Sequence, residues 1–155
     1  MQSFQTFYQN GLRFSCVRCS ACCRYESGCV FLSDDDLTLL IKTLKLPRHE
    51  VESLYCTWIP SGTVDCLSLK EKPNFDCIFW DDGCSIYESR PLQCRTFPFW
   101  DSILADADAW ERSAKDCPGM GQGSLYAFDE IKRLVEQGNA RTLIQRKRDT
   151  RRALW

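Results

Sequence analysis

Between Leu37 and Leu44 the apolar positions Leu37, Leu40, Ile41 and Leu44 return every three or four residues, the repeat of one helical face. Ser33 stands just ahead, followed by Asp34, Asp35 and Asp36. A serine hydroxyl there can accept from the free N–H groups of a first turn, and aspartates suit the positive end of the helix dipole. Pro47 interrupts the pattern, and Arg48 to Tyr55 reads as a short second helix. From about Thr57 to Tyr87 the rhythm shortens. The apolar pieces Val64–Leu69, Phe75–Trp80 and Cys84–Tyr87 are separated by Ser-Gly, Lys-Pro-Asn and Asp-Asp-Gly. That is strand-and-turn chemistry, with Asp82-Gly83 a tight hairpin. Arg90-Pro91 opens a further turn or short helix, and Cys117-Pro-Gly-Met-Gly-Gln-Gly reads as a loop able to fold closely around something. Ser124 then serves as N-cap for an amphipathic helix marked by Leu125, Phe128, Ile131 and Val135, ending near Gly138-Asn139. A second helix or a loose tail is expected beyond. The pattern predicts one small α+β domain over residues 1–155, in which short strands and several helices pack irregular cysteine-bearing loops.

Composition narrows this little. Of 155 residues 44% are hydrophobic and 26% charged, the balance of an ordinary globular chain. No apolar run approaches the roughly 18 residues that span a bilayer, and the opening residues lack the basic and apolar regions of a secretory signal. A cytoplasmic protein that does not engage membranes is the expectation. Charge is uneven: Arg141, Arg146, Lys147, Arg148, Arg151 and Arg152 face only Asp149 near the C-terminus, a local +5 against a chain total of −1. The tail from 124 to 155 is therefore expected to be helical and basic, able to engage an acidic protein partner. Without interleaved aromatics, nucleic acid is not the expected partner.

The 11 cysteines change the picture. Oxidised scaffolds are usually short, secreted and even in cysteine count, so clustered thiols here point to metal rather than disulfides. The densest stretch is Cys16-Val-Arg-Cys19-Ser-Ala-Cys22-Cys23. Cys16, Cys19 and Cys22, each three apart, can converge on one centre, and such a triplet with a remote fourth ligand is a known way to hold a four-iron cluster. Cys23 points differently from its neighbour and more naturally serves a second metal or a bridge, so more than one metal ion is expected. Cys77, Cys84, Cys94 and Cys117 each lie beside a turn element, where loops can aim thiolates at a common point. Cys29, Cys56 and Cys66 lack that context and read as buried small hydrophobes, with Cys29 in reserve. His49, the lone histidine, lies in a polar segment and reads as solvent-facing.

Taken in order, CxxCxxCC, Cys77-x6-Cys84, Arg90-Pro91-Leu-Gln-Cys94-Arg95-Thr-Phe97-Pro98-Phe99 and Cys117-Pro-Gly resemble the YkgJ-type cysteine-cluster family, whose domain is described as zinc- or iron-chelating. The likeness runs from about residue 14 to residue 123. It implies Cys16, Cys19, Cys22, Cys23, Cys77, Cys84, Cys94 and Cys117 as metal ligands. The family often carries glycine after the second cysteine, where this chain has Ser20. Flagellin lysine methylases look similar in cysteine pattern, but no glycine-rich nucleotide loop is visible here.

Thiolates suit zinc and iron–sulfur clusters alike. The evenly spaced triplet favours iron–sulfur, which implies electron transfer or a redox or methyl-transfer component. A structural zinc adaptor module and a metal-storage role are the alternatives, and catalytic residues are unknown. Phe14, Phe75, Phe79, Trp80, Tyr87, Phe97, Phe99 and Trp100 crowd the cysteines and either exclude water from a cofactor or simply form core. Arg90 and Arg95 flank Cys94 and are expected to offset the charge of a thiolate-bound cofactor, or else to pair with Glu88 or Asp101.

Overall fold

The computed structural model describes residues 5–149 and 151; Arg152 of the basic stretch lies outside the described residues. In chain order the elements are β1 (Leu12–Phe14), α1 (Asp34–Leu44), α2 (Arg48–Tyr55), β2 (Cys56–Ser61), β3 (Val64–Leu69), α3 (Leu92–Thr96), α4 (Ala107–Asp116), β4 (Met120–Tyr126), α5 (Phe128–Ala140) and β5 (Gln145–Lys147). Short 3₁₀ turns occupy Ala21–Cys23 and Tyr87–Ser89. The class is α+β, with one antiparallel pair, β1-β4, and one three-stranded antiparallel sheet in the order β2-β3-β5.

The chain forms two compact units. The first joins the residues up to Cys22 with Thr96–Ala140, and the second joins Cys23–Arg95 with the residues from Arg141 onward. The division falls between the adjacent cysteines 22 and 23. Each unit has its own apolar core. In the first, Phe14, Phe99, Ile103, Leu104, Trp110, Met120 and Ile131 are buried together, and Phe14 meets Phe97 and Phe99 edge-on. In the second, Leu32, Leu37, Leu40, Val51, Leu67, Leu69 and Phe79 form the core, with Phe79 stacked on Tyr55.

Helix α1 forms as its pattern predicts. Leu37 and Leu40 are buried and Ile41 and Leu44 pack against them, while Ser33 caps the start. The Ser33 hydroxyl accepts from the Asp36 N–H, and the Asp36 carboxylate accepts from the Ser33 N–H and hydroxyl, both at 2.9 Å. Asp36 does more than cap. Its other oxygen accepts from the Leu92 N–H at 2.8 Å, and Arg141 stands 3.5 Å away. Arg141 also donates to the Phe31 carbonyl and to Gln93 Oε1, while Gln93 bonds the Phe31 N–H and the Cys29 carbonyl. One buried carboxylate thus joins α1, the start of α3 and the strand-like segment at 29–33.

Several expectations need correction. Phe75–Trp80 and Cys84–Tyr87 are not strands but irregular segments tied by isolated bridges, Glu71 to Cys77 and Trp80 to Cys84. The tight turn at Asp82-Gly83 does form, both residues having positive φ, with the Asp81 N–H donating to the Gly83 carbonyl. The run from Met120 is strand β4 rather than loop, because it finds a partner in β1. Ser124 therefore lies in a strand, and α5 begins at Phe128, where Glu130 accepts from the Ala127 N–H. The tail is not wholly helical. Beyond α5, β5 pairs with β3, and Arg146 and Arg148 both reach the largely buried Asp65, at 3.3 and 3.4 Å. Among the described residues, no helix is long and apolar enough to cross a membrane.

Because Asp36 is buried and answers a charge and three N–H or O–H donors, Asp36→Ala is expected to cost about 3 kcal/mol, much of it from leaving Arg141 without its counter-charge. Chemical denaturation of the variant against the parent chain measures this.

Candidate metal centre

In the first unit the cysteine-bearing loop leaves β1 directly. Ser15 follows Phe14, and its N–H donates to the Gly119 carbonyl at 3.1 Å while its hydroxyl accepts from the Ser124 N–H at 3.0 Å. Arg13 adds a bond to the Gly123 carbonyl. The β1-β4 register jumps here, so that Arg13 faces Leu125 but Phe14 faces Met120, and the intervening residues of β4 wrap Ser15. Two glycines make this possible. A Cβ at Gly119 would run into the Ser15 carbonyl oxygen, and one at Gly123, which also has φ +78°, would run into the Ser15 side chain. The glycines after Cys117 do close around something, and it is the residue before Cys16.

This closure carries Cys117 to the N-terminal run, about a hundred positions away in sequence. Burial pushes the Cys117 thiol up, the nearby Gly119 and Met120 backbone opposes it, and the Cys19 and Cys22 charges push it up again; the net direction is up. Three of the predicted ligands are therefore electrostatic neighbours. Cys16, Cys19 and Cys22 are exposed and Cys117 is half-buried. The loop between them turns through left-handed backbone at Arg18, φ 56°, and Ser20, φ 68°. Left-handed backbone costs a side-chain-bearing residue about 1 kcal/mol, the physical reason that glycine suits the position Ser20 fills.

The other predicted ligands belong to the second unit. The Cys77 N–H donates to the Cys23 carbonyl at 2.8 Å, and the turn from Cys77 to Cys84 is closed by the Trp80–Cys84 bridge. Cys94 lies in α3, whose start Asp36 and Gln93 fix. Arg90 donates from Nε to the Tyr87 carbonyl and lies over the Tyr87 ring at 3.8 Å, and Arg95 donates to the Arg90 carbonyl. Sequence reasoning missed Arg24. It pairs with Asp76 at 2.9 Å and stacks over Trp80 at 3.6 Å, and its only trace in the sequence was adjacency to Cys23. Asp76 is held below the usual carboxylate range chiefly by that guanidinium.

The remaining cysteines behave as buried hydrophobes or structural thiols. Cys56 and Cys66 are 5% and 2% exposed, and Cys29 is half-buried with its thiol pushed up by burial and the Glu71 charge. His49 is 82% exposed beside Glu50. Of the aromatics, Phe14, Phe79 and Phe99 are core, whereas Phe75 is 49% exposed. Among the described residues, no three Cys, His, Asp or Glu side chains stand as a ready metal-holding group. The donors nevertheless suit zinc or iron, being soft thiols of which three stand at knuckle spacing.

Comparison with known proteins agrees with this donor chemistry. Residues 15–118 match the CxxCxxCC family, described as "Putative zinc- or iron-chelating domain". The chain belongs to that family. Uncharacterized protein MJ0661 of Methanocaldococcus jannaschii is 34% identical over 137 residues, covering 83% of this chain and 70% of its own length. No solved structure matches.

Three outcomes are expected from this geometry. Gly119→Ala should cost about 2 kcal/mol by forcing β4 off Ser15, read by denaturation, and should weaken metal uptake in parallel. Ser20→Gly should stabilise the chain by only a few tenths of a kcal/mol, relief of left-handed strain of about 1 kcal/mol being largely offset by the greater unfolded-state entropy of glycine. Burial raises the Cys56 thiol from 9.0 to about 11. The folded chain thus holds that proton more tightly than the unfolded chain. This contribution to stability is complete below pH 9 and is lost as pH rises through about 11, so denaturation midpoints should fall across that window.

Proposed function

We propose that Cys16, Cys19, Cys22 and Cys117 hold an iron–sulfur group and that the chain serves as an electron-transfer or redox component. The observation that carries the reading is the closure of the Gly119–Gly123 run on Ser15, which brings Cys117 to the residue that precedes Cys16. Three ligands at x2–x2 spacing with a distant fourth is an iron–sulfur arrangement, and backbone N–H bonds to ligand sulfur are a usual means of tuning its potential. When bound, such a group supplies reversible one-electron chemistry. The chain's part is to hold and to shield. The β1-β4 pairing supports this by tying the residues just after Cys117 to those just before Cys16, and Phe14, Phe97 and Phe99 back β1 with an apolar wall. A low-dielectric wall on one side and water on the other, where Cys16, Cys19 and Cys22 are exposed, leaves a face through which a redox partner could approach.

Protein purified without oxygen is expected to be brown, to carry iron and acid-labile sulfide, and to bleach reversibly with a one-electron reductant. Cys117→Ser should lose that chromophore while Cys66→Ser, at a buried cysteine of the other unit, keeps it. Colourless protein with stoichiometric zinc and no sulfide would sink the iron–sulfur reading in favour of a structural zinc module.

A further inference from the structure

Strand β5 is the outer strand of the second unit's sheet, and one face of it carries more positive charge than the fold itself uses. Alternation along the strand turns Arg146 to one face and Lys147 to the other, and Arg148, just past the strand, returns to the side of Arg146. Both arginines meet the same carboxylate. Arg146 Nε lies 3.3 Å from Asp65 Oδ2, and Arg148 Nε lies 3.4 Å from Asp65 Oδ1. The Asp65 side chain is 11% exposed, whereas those of Arg146 and Arg148 are 51% and 36% exposed. Arg146 also lies over the Trp58 ring, its guanidinium carbon 4.4 Å from the centroid. One buried carboxylate thus gathers two guanidiniums that remain open to water. Among the described residues, each spends only its Nε on hydrogen bonding. The two-nitrogen edge that grips an oxyanion through parallel bonds stays unused in both.

One arginine would neutralise Asp65. The second sets a like charge beside the first, and the run from Arg146 to Arg151 carries four cations against the single carboxylate of Asp149. We infer that Arg146 and Arg148 form an oxyanion site that takes the carboxylate side chains of an acidic protein segment. Asp65 positions both guanidiniums, and Trp58 supports the first. An incoming carboxylate neutralises the surplus charge, and partial exposure keeps the desolvation cost of meeting it small. An acidic protein segment fits this point better than a nucleic acid. Trp58 packs on the core and is covered by Arg146, so it offers no free face to a base, and the chain as a whole is net negative, at −1. The inference holds whatever metal the cysteines bind.

The test is titration of the full chain with fluorescein-labelled hexaglutamate at low ionic strength, followed by fluorescence anisotropy and by the arginine Nε–H signals in NMR spectra. Saturable binding that shifts the Arg146 and Arg148 signals and weakens with added salt is expected. Arg148→Gln should weaken it about tenfold by removing a charge-assisted contact. Lys147→Gln removes the same charge from the opposite face and should change the affinity less than about twofold. Arg146→Lys keeps the charge and should still weaken binding several-fold, through loss of the planar fork and its stacking on Trp58. If Arg148→Gln loosens β5, seen as loss of the β3–β5 amide pairing, the comparison of Arg146→Lys with Lys147→Gln decides instead. Absence of saturable binding, equal losses in Lys147→Gln and Arg148→Gln, or displacement of hexaglutamate by equimolar inorganic phosphate or by a six-nucleotide single strand overturns the inference.

Discussion

The near-contact of two backbones at Ser15 and Gly119 is the constraint on which the first unit depends. Strand β1 is only three residues long, too short to hold a partner by ladder bonds alone. What holds it is the wrapping of Ser15 by the glycine-rich run 119–124, with the Ser15 N–H and hydroxyl both engaged. Side chains are excluded from this contact, so the fold depends there on what Gly119 and Gly123 lack. The chemical result is that a thiol near residue 117 and a knuckle near residue 19 share one electrostatic neighbourhood. Loop closure over so long a span carries a substantial entropic cost, and the aromatic cluster of Phe14, Phe97 and Phe99 supplies the apolar burial that offsets it.

The second unit ties its distant segments with charge rather than with glycine. Asp36 with Arg141 fixes the start of α3 and hence Cys94, while Asp76 with Arg24 fixes the turn that carries Cys77 and Cys84. Buried ion pairs contribute little net stability, since desolvation cancels most of the attraction, but a broken one costs several kcal/mol. Such pairs select one arrangement strongly over its alternatives.

Local signals were the legible ones. Helices α1 and α2 begin and end where Ser33, Pro47 and the leucine repeat place them, because a cap and a 3.6-residue apolar period act within a few residues. Strand β3 was legible for the same reason, its Val64–Leu69 run being flanked by turn residues. Strand β4 was not, since Met-Gly-Gln-Gly-Ser-Leu-Tyr has no strand pattern and becomes a strand only because β1 and Ser15 are there to receive it. The run Phe75–Trp80 misled in the opposite sense. Its apolar residues are spent on Phe79 in the core and Trp80 beneath Arg24, and no neighbouring strand pairs with its length.

The sequence by itself determined the donor chemistry: which thiols stand beside turns, at what spacing, and that Cys56 and Cys66 belong to the interior. Family membership follows from that same ordered spacing. Only the tertiary structure decided which cysteines keep company. It set Cys117 with Cys19 and Cys22 through a strand pair, and Cys23 with Cys77 through a backbone bond that Arg24 reinforces. The reason is physical. Spacing governs what neighbouring residues can do, whereas the meeting of segments fifty to a hundred residues apart is governed by packing, glycine clearance and buried charge.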